Sequence, residues 1–309
     1  MSSGPDRIFA ADWSVNARGR WMCRVERDGD RFHLHAPEPV GDPETLVERV
    51  AAGARSTLLG LDLPIGLPRR YAAAAGIASF RAFLDELDAG ARPNFFDVTE
   101  APSLDQPFYP PHSRERGRHS RATLAAALGV SHTDDLLRAC DRGGGGRRKA
   151  ECLFFTCGGA QVGRAAGHAW RTVLLPRLDR VRLWPFDGPL RDLASAPGVT
   201  IAEIYPAAAY ARLGVGMTRG MSKRRREDRR AVCADIRDAM ARLRVTPDAA
   251  AAAVIDGGFA ADHDFDALLG ALLLVDAIQS ADVEPPPDET IRGVEGWIIG
   301  TAHSRGPTS

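Results

Sequence analysis

Four carboxylates define the chemistry this chain can support. Asp12 closes the stretch RIFAAD, Asp62 closes STLLGLD and Glu203 closes VTIAE. Asp266 lies in DHDFD, at the start of the apolar run ALLGALLLVDAI. Each of the first three ends a short apolar run, as expected of strands buried on both faces. Pro64, Gly66 and Pro68 after Asp62, and Pro206 after Glu203, stop those strands. In open α/β sheets ligands bind beyond the carboxyl ends of the strands. If the three strands are parallel neighbours, their acids gather at one edge, where like charge disfavours ionisation. Divalent cations relieve that repulsion, and Mg²⁺ takes carboxylates, waters and substrate phosphates. Paired cations can stabilise the attacking and leaving oxygens of phosphodiester hydrolysis. The expected metal ligands for Mg²⁺ or Mn²⁺ are therefore Asp12, Asp62 and Asp266, with Glu203 completing the catalytic set. Residues two apart on a helix diverge by about 200°. Hence Asp264 is expected to cap the helix while Asp266 turns toward the strand ends.

A phosphodiester backbone also needs cations to position it, which makes nucleic acid the expected partner. Two clusters qualify: Arg147, Arg148 and Lys149, and Lys223, Arg224 and Arg225. A solvated charged face is the competing explanation of both. The chain as a whole is no polycation, because 40 Lys and Arg balance 40 Asp and Glu; any anion-binding face must be local. Gly158 and Gly163 have the spacing of a phosphate loop, but Arg164 and Ala165 stand where Lys and Ser or Thr belong. Close helix packing explains those glycines equally well. His33 and His35 alternate on one strand face without a third ligand near in sequence, so they read as a polar face rather than a metal pair. The five cysteines form no CxxC pair, which argues against a zinc site or a disulfide framework. No run reaches the length of a membrane span and no signal pattern opens the chain, so the expectation is a cytoplasmic protein off the membrane.

These residues need a frame. The sequence predicts a first strand ending near Asp12, then strands over residues 21–25 and 31–35 joined by a hairpin at Asp28-Gly29. A helix over 43–54 leads to the strand ending at Asp62, a crossover that is normally right-handed. Ser79 caps a helix through Phe80, Phe83, Leu84 and Leu87. Residues 89–150, with FYPPH, RERGRHSR and a run of four glycines, read as an insertion within a single domain spanning 1–309. A strand over 152–156 and a helix ending at Pro176 follow. Residues 199–205 form another strand, 222–245 one amphipathic helix with a basic start, and the helix after Asp264 is apolar nearly all round and so buried. EGWIIG near the end adds an edge strand or a packing contact.

The motifs ADWS, GLDLPIGLP, ECLFFTCGGAQVG, AEIYPA, DFDALLGALL and EGWIIG together resemble the family known as domain of unknown function 429. That family is described as predicted nucleases of the ribonuclease H-like fold. The resemblance implies a ribonuclease H-like mixed sheet flanked by helices, with a central insertion. It places the family's acids at Asp12, Asp62, Glu203 and Asp266. The implied function is a divalent-metal-dependent nuclease or phosphodiesterase. Trp13 and Pro64 would crowd a wide duplex groove, which keeps a small nucleotide-like substrate open. The alternatives are a nucleotide-binding phosphotransferase or ATPase, disfavoured by the glycine-poor turn after Asp12, and a non-catalytic binding protein that kept the sheet.

Overall fold

The structure is a computed structural model, and it describes residues 4–111, 119–143, 149–156, 162–280 and 282–301. Its strands, in chain order, are β1 (Arg7–Asp12), β2 (Trp21–Asp28), β3 (Arg31–Leu34), β4 (Glu38–Pro39), β5 (Ser56–Leu61), β6 (Val181–Leu183), β7 (Gly198–Glu203) and β8 (Val245–Pro247). Among the described residues the chain divides into two compact units. One is drawn from Met1–Asp62, Arg180–Glu284 and Ile298–Thr301, the other from Leu63–Asp179 and Pro285–Trp297.

The first unit holds the whole sheet, in the order β6-β7-β5-β1-β2-β3-β8, with β4 also paired to β2. β1, β2 and β3 are antiparallel neighbours, and Gly29 takes the positive φ that their two-residue turn needs. β5 and β7 continue the sheet parallel to β1. The strands predicted to end at Asp12, Asp62 and Glu203 therefore do lie side by side. Every residue of β5 is buried, as its unbroken apolar run requires.

Helices flank both faces. The helix Asp262–Gln279 packs on β1, β2 and β5, and thirteen of its residues are buried. It approaches closely because the contact is built from small residues. A Cβ on Gly60 would lie 2.8 Å from Leu274 Cδ1, and one on Gly270 would lie 3.0 Å from Ala10 Cβ. Thr57, of opposite parity on β5, donates instead to the Val50 carbonyl of the helix Leu46–Ala51 on the other face. No helix among the described residues is long and apolar enough to cross a membrane.

Three local expectations are corrected. The basic amphipathic segment is two helices, Arg226–Ala231 and Cys233–Arg242, broken where Val232 leaves helical geometry at ψ 7°. Residues 152–156 form a turn with one bridge, Tyr109 to Phe155, rather than a strand. Their apolar character has another origin, since Phe154 sits in the aromatic core of the second unit. There Phe95 lies 5.0 Å from Phe83, 5.6 Å from Phe108 and stacks on Trp170 at 6.4 Å between ring centroids. The helix predicted over 43–54 is a 3-10 turn, Pro43–Thr45, followed by Leu46–Ala51. By contrast, Ser79 caps Phe80–Asp88 as expected, accepting from the Ala82 amide.

The second unit's helices are Arg69–Ala74, Phe80–Asp88, Arg121–Ala127 and Val162–Ala169. Gly163 needs no phosphate to explain it: a Cβ there would lie 1.9 Å from the Leu153 carbonyl oxygen. Gly158 lies outside the described residues.

Candidate carboxylate site

At the carboxyl ends of β1 and β5 the chain places Asp12 and Asp62. The pleat decides which face each carboxylate takes. Asp12 shares parity with Ala10, and Asp62 with Gly60, so both point to the face covered by the helix Asp262–Gln279. Asp62 is held in register by its amide, which donates to the Ala11 carbonyl at 3.0 Å. On the helix, Asp264 is used for capping: its carboxylate accepts from the amides of Ala260, Ala261 and Phe265 at 2.9, 3.1 and 2.9 Å. Asp266, two residues on, is fully buried and faces the strand ends.

Asp12, Asp62 and Asp266 act on one another electrostatically. Burial pushes the Asp62 carboxyl well above the usual carboxylate range, and the charges of Asp12 and Asp266 push it further. Part of the Asp62 surface stays open to solvent. Asp266 is pushed up to about 6 by burial, with Lys223 opposing and Asp12 reinforcing the shift.

Three further side chains complete the cluster. The Lys223 ammonium contacts Asp266 Oδ2. Burial works against the lysine's charge, but Asp266, Asp12 and Asp62 outweigh it and hold the ammonium above its ordinary range. Tyr210, on the helix Pro206–Leu213, donates its hydroxyl to Asp266 Oδ1 at 3.1 Å. Burial and the Asp266 charge together raise the phenol. His263 Nδ1 lies 2.5 Å from Asp12 Oδ2, and that bond raises the imidazole. Its Nε2 faces Gly19 and Ser14: the position of a Gly19 Cβ is 3.2 Å from both His263 Nε2 and Ser14 Oγ.

The other expected site residues are placed elsewhere. Glu203 pairs in register with Leu61, so the pleat turns it to the face opposite Gly60 and Asp62, where it is buried. Its backbone carbonyl accepts from Ile299 at 3.0 Å, the packing contact expected of EGWIIG. Arg225 is committed to Asp228 and to the Gly220 carbonyl. Arg224 is exposed. Lys149 belongs to the second unit, where it contacts Asp134. Arg147 and Arg148 lie outside the described residues. His263 and Tyr210 escaped the reading of the sequence. His263 carried a signal, since it stands one turn from Asp266 and so shares its helix side. Tyr210 carried none, because its reach depends on how two helices pack.

The three carboxylates are hard oxygen donors in a desolvated, mutually repelling group, a chemistry that suits Mg²⁺ or Mn²⁺. Among the described residues no group of three or more His, Cys, Asp or Glu is arranged to hold a metal ion. The donor types fit a divalent cation, and one cation of the protein's own already answers part of their charge.

Comparison with curated proteins gives no match, and neither does comparison with solved structures. A family model does match, over residues 11–290, which include all of Asp12, Asp62, Lys223, His263 and Asp266. The chain belongs to the family described as protein of unknown function DUF429.

Proposed function

We propose that this protein is a divalent-metal-dependent phosphodiester hydrolase, a nuclease, built on a ribonuclease H-like sheet. The observation that carries the reading is the convergence of Asp12, Asp62 and Asp266 on one face at the carboxyl ends of adjacent parallel strands, with Asp62 and Asp266 pushed up in proton affinity. Perturbed carboxylates at such a position are a mark of functional sites. The sheet supports the fold assignment, because antiparallel β3-β2-β1 continues into parallel β5 and β7.

Asp12, Asp62 and Asp266 would hold Mg²⁺ or Mn²⁺. Such an ion supplies Lewis-acid stabilisation of phosphoryl oxygens and lowers the pKa of an attacking water. The protein's own groups do the rest. Tyr210 fixes Asp266 through one carboxylate oxygen, and His263 fixes Asp12. Arg224, exposed beside Lys223 in the chain, supplies charge for a phosphate backbone. Glu203 has no part in this chemistry, since it faces the other side of the sheet.

The test is a cleavage screen with Mg²⁺, Mn²⁺ or EDTA over single-stranded, duplex, hybrid and branched nucleic acids and small nucleotides. Cleavage is expected with metal, is abolished by EDTA, and falls at least 100-fold in Asp62→Asn and Asp266→Asn, a loss typical of removing one electrostatic catalytic group. Glu203→Gln is expected to retain activity in whatever fraction folds. Undiminished cleavage by Asp62→Asn removes the reading.

A further inference from the structure

The chain contains 40 Lys and Arg, yet only Lys149 and Lys223 are lysines. One of the two has its ammonium in the carboxylate cluster. Arginine, the cation used nearly everywhere else in this chain, presents a broad planar fork, whereas lysine presents a compact point charge. A compact charge is what a small polar recess between carboxylates admits.

Lys223 is also held from behind. Arg229, only 2% exposed, donates through Nη1 to the Lys223 carbonyl at 2.6 Å. The same guanidinium donates to the carbonyls of Gly258 and Phe259, at 3.2 and 3.1 Å, just ahead of the helix that carries Asp266. A buried arginine thus ties the backbone of Lys223 to the segment leading into Asp266. The lysine side chain itself is different: it is 42% exposed, while Asp266 is 0% exposed. The ammonium enters a buried carboxylate from the surface and has a way out.

We infer that the Lys223 ammonium is a built-in counter-ion that competes with divalent metal for the Asp12–Asp62–Asp266 cluster, so that metal binds only by displacing it. The inference rests on the metal-dependent reading above. Its physics is charge balance in a desolvated site. One ammonium offsets one carboxylate charge, and a divalent ion offsets two while bonding several oxygens at once. The two cations need the same oxygens, since Lys223 already contacts Asp266 Oδ2. Lys223 therefore stabilises the cluster without metal and weakens metal binding by the same contact.

The experiment measures Mn²⁺ affinity by calorimetry and thermal unfolding in EDTA, at one pH, for the wild type and Lys223→Met, which removes the charge and keeps the chain length. Lys223→Met is expected to bind Mn²⁺ at least tenfold more tightly and to unfold at a lower temperature in EDTA. Equal or weaker Mn²⁺ binding by Lys223→Met overturns the inference and leaves the metal-dependent reading standing. Mn²⁺ binding by neither protein overturns both. A second measurement needs no variant and covers poor folding of Lys223→Met. Amine acylation of the wild type, read by peptide mass, is expected to rise at Lys223 on adding Mn²⁺, with Lys149 as the internal control. Unchanged labelling at Lys223 with Mn²⁺ bound overturns the inference.

Discussion

Two buried ionic networks in this molecule follow opposite rules. In the second unit, Arg138 is fully buried and grips Asp141 with two parallel bonds, Nε to Oδ2 and Nη2 to Oδ1, both 2.9 Å. Its remaining Nη1 donates to the carbonyls of Ile65 and Glu295 at 3.3 and 3.4 Å. Nearby in that unit Arg69 bonds the buried Glu295 at 2.7 Å and Asp288 at 3.1 Å. Burial acts to raise Asp288, but the Ile291 amide and Arg69 outweigh it and hold the carboxyl below its usual range. In the first unit Asp12, Asp62 and Asp266 face one ammonium, and burial and mutual repulsion push Asp62 and Asp266 upward. The first kind of network is satisfied and structural. The second carries uncompensated charge, which folding alone gives no reason to keep.

The contrast makes its largest prediction at Arg138. Replacing Arg138 with Met strands the buried Asp141 carboxylate and leaves two carbonyls short of a donor. The expected loss is about 3–5 kcal/mol in chemical denaturation, the usual cost of removing one partner of a buried pair. Arg138→Met combined with Asp141→Leu should recover much of it, because no buried charge then remains alone. If the single variant loses under ~1 kcal/mol, the network is not the satisfied, structural one described.

The same operation on the carboxylate cluster should have the opposite sign. Asp62→Asn removes a repelled charge, so it should stabilise the metal-free protein at neutral pH. A rise in Tm of about 2–4 °C corresponds to ~1 kcal/mol in a unit of this size. The pH dependence follows from the raised carboxyl. Between its unfolded value near 3.8 and its higher folded value, the native state binds the extra proton, so stability falls as pH rises through that window. The advantage of Asn is therefore small at pH 4 and larger at pH 8. Asp288 behaves in reverse: its carboxyl is depressed, and the stability it contributes is lost as pH falls below about 3.8. Thermal melts of wild type and Asp62→Asn at the two pH values decide it. A destabilised Asp62→Asn at pH 8 breaks the comparison.

Much of the first unit could be read before its structure was known, because apolar runs that end in an acid are long enough to show their period. β1, β5 and β7 are each six residues and were recognisable. β6 and β8 have three residues each and give no periodic signal. Glu203 illustrates the limit more sharply. Its place at a strand end was legible, but its face depends on the register Leu61 to Glu203, which is a tertiary fact. Asp264 and Asp266 were separable because helical geometry alone sets them apart. In the basic segment, Arg226 and Arg229 are committed to carbonyls of residues 257–259, a pairing that lies too far along the chain for the sequence to show. Only Lys223 of that cluster reaches the acids.

The smallest prediction concerns His263, whose Nδ1 bonds Asp12 directly. Gly19 sits beside its far nitrogen, at the end of the 3-10 turn Ala17–Gly19. A Cβ there would stand 3.1 Å from Ser14 Cβ and 3.2 Å from His263 Nε2, tighter than ordinary van der Waals contact. Gly19 has no positive φ, so alanine is allowed by the backbone and restricts the unfolded chain. That gain of about 0.4–1 kcal/mol opposes the crowding, and the net change in stability should stay within ~1 kcal/mol. The imidazole should respond more clearly than the fold does. Its pKa is held up by the bond to Asp12; a ring already 2.5 Å from that carboxylate on one side can retreat from a Cβ on the other only by turning off the bond, which should let the pKa fall toward the ordinary histidine value. A proton NMR titration of His263 in Gly19→Ala measures this against the wild type. An unchanged His263 titration means that the ring is not confined between Asp12 and Gly19, and that the carboxylate cluster keeps its order without that contact.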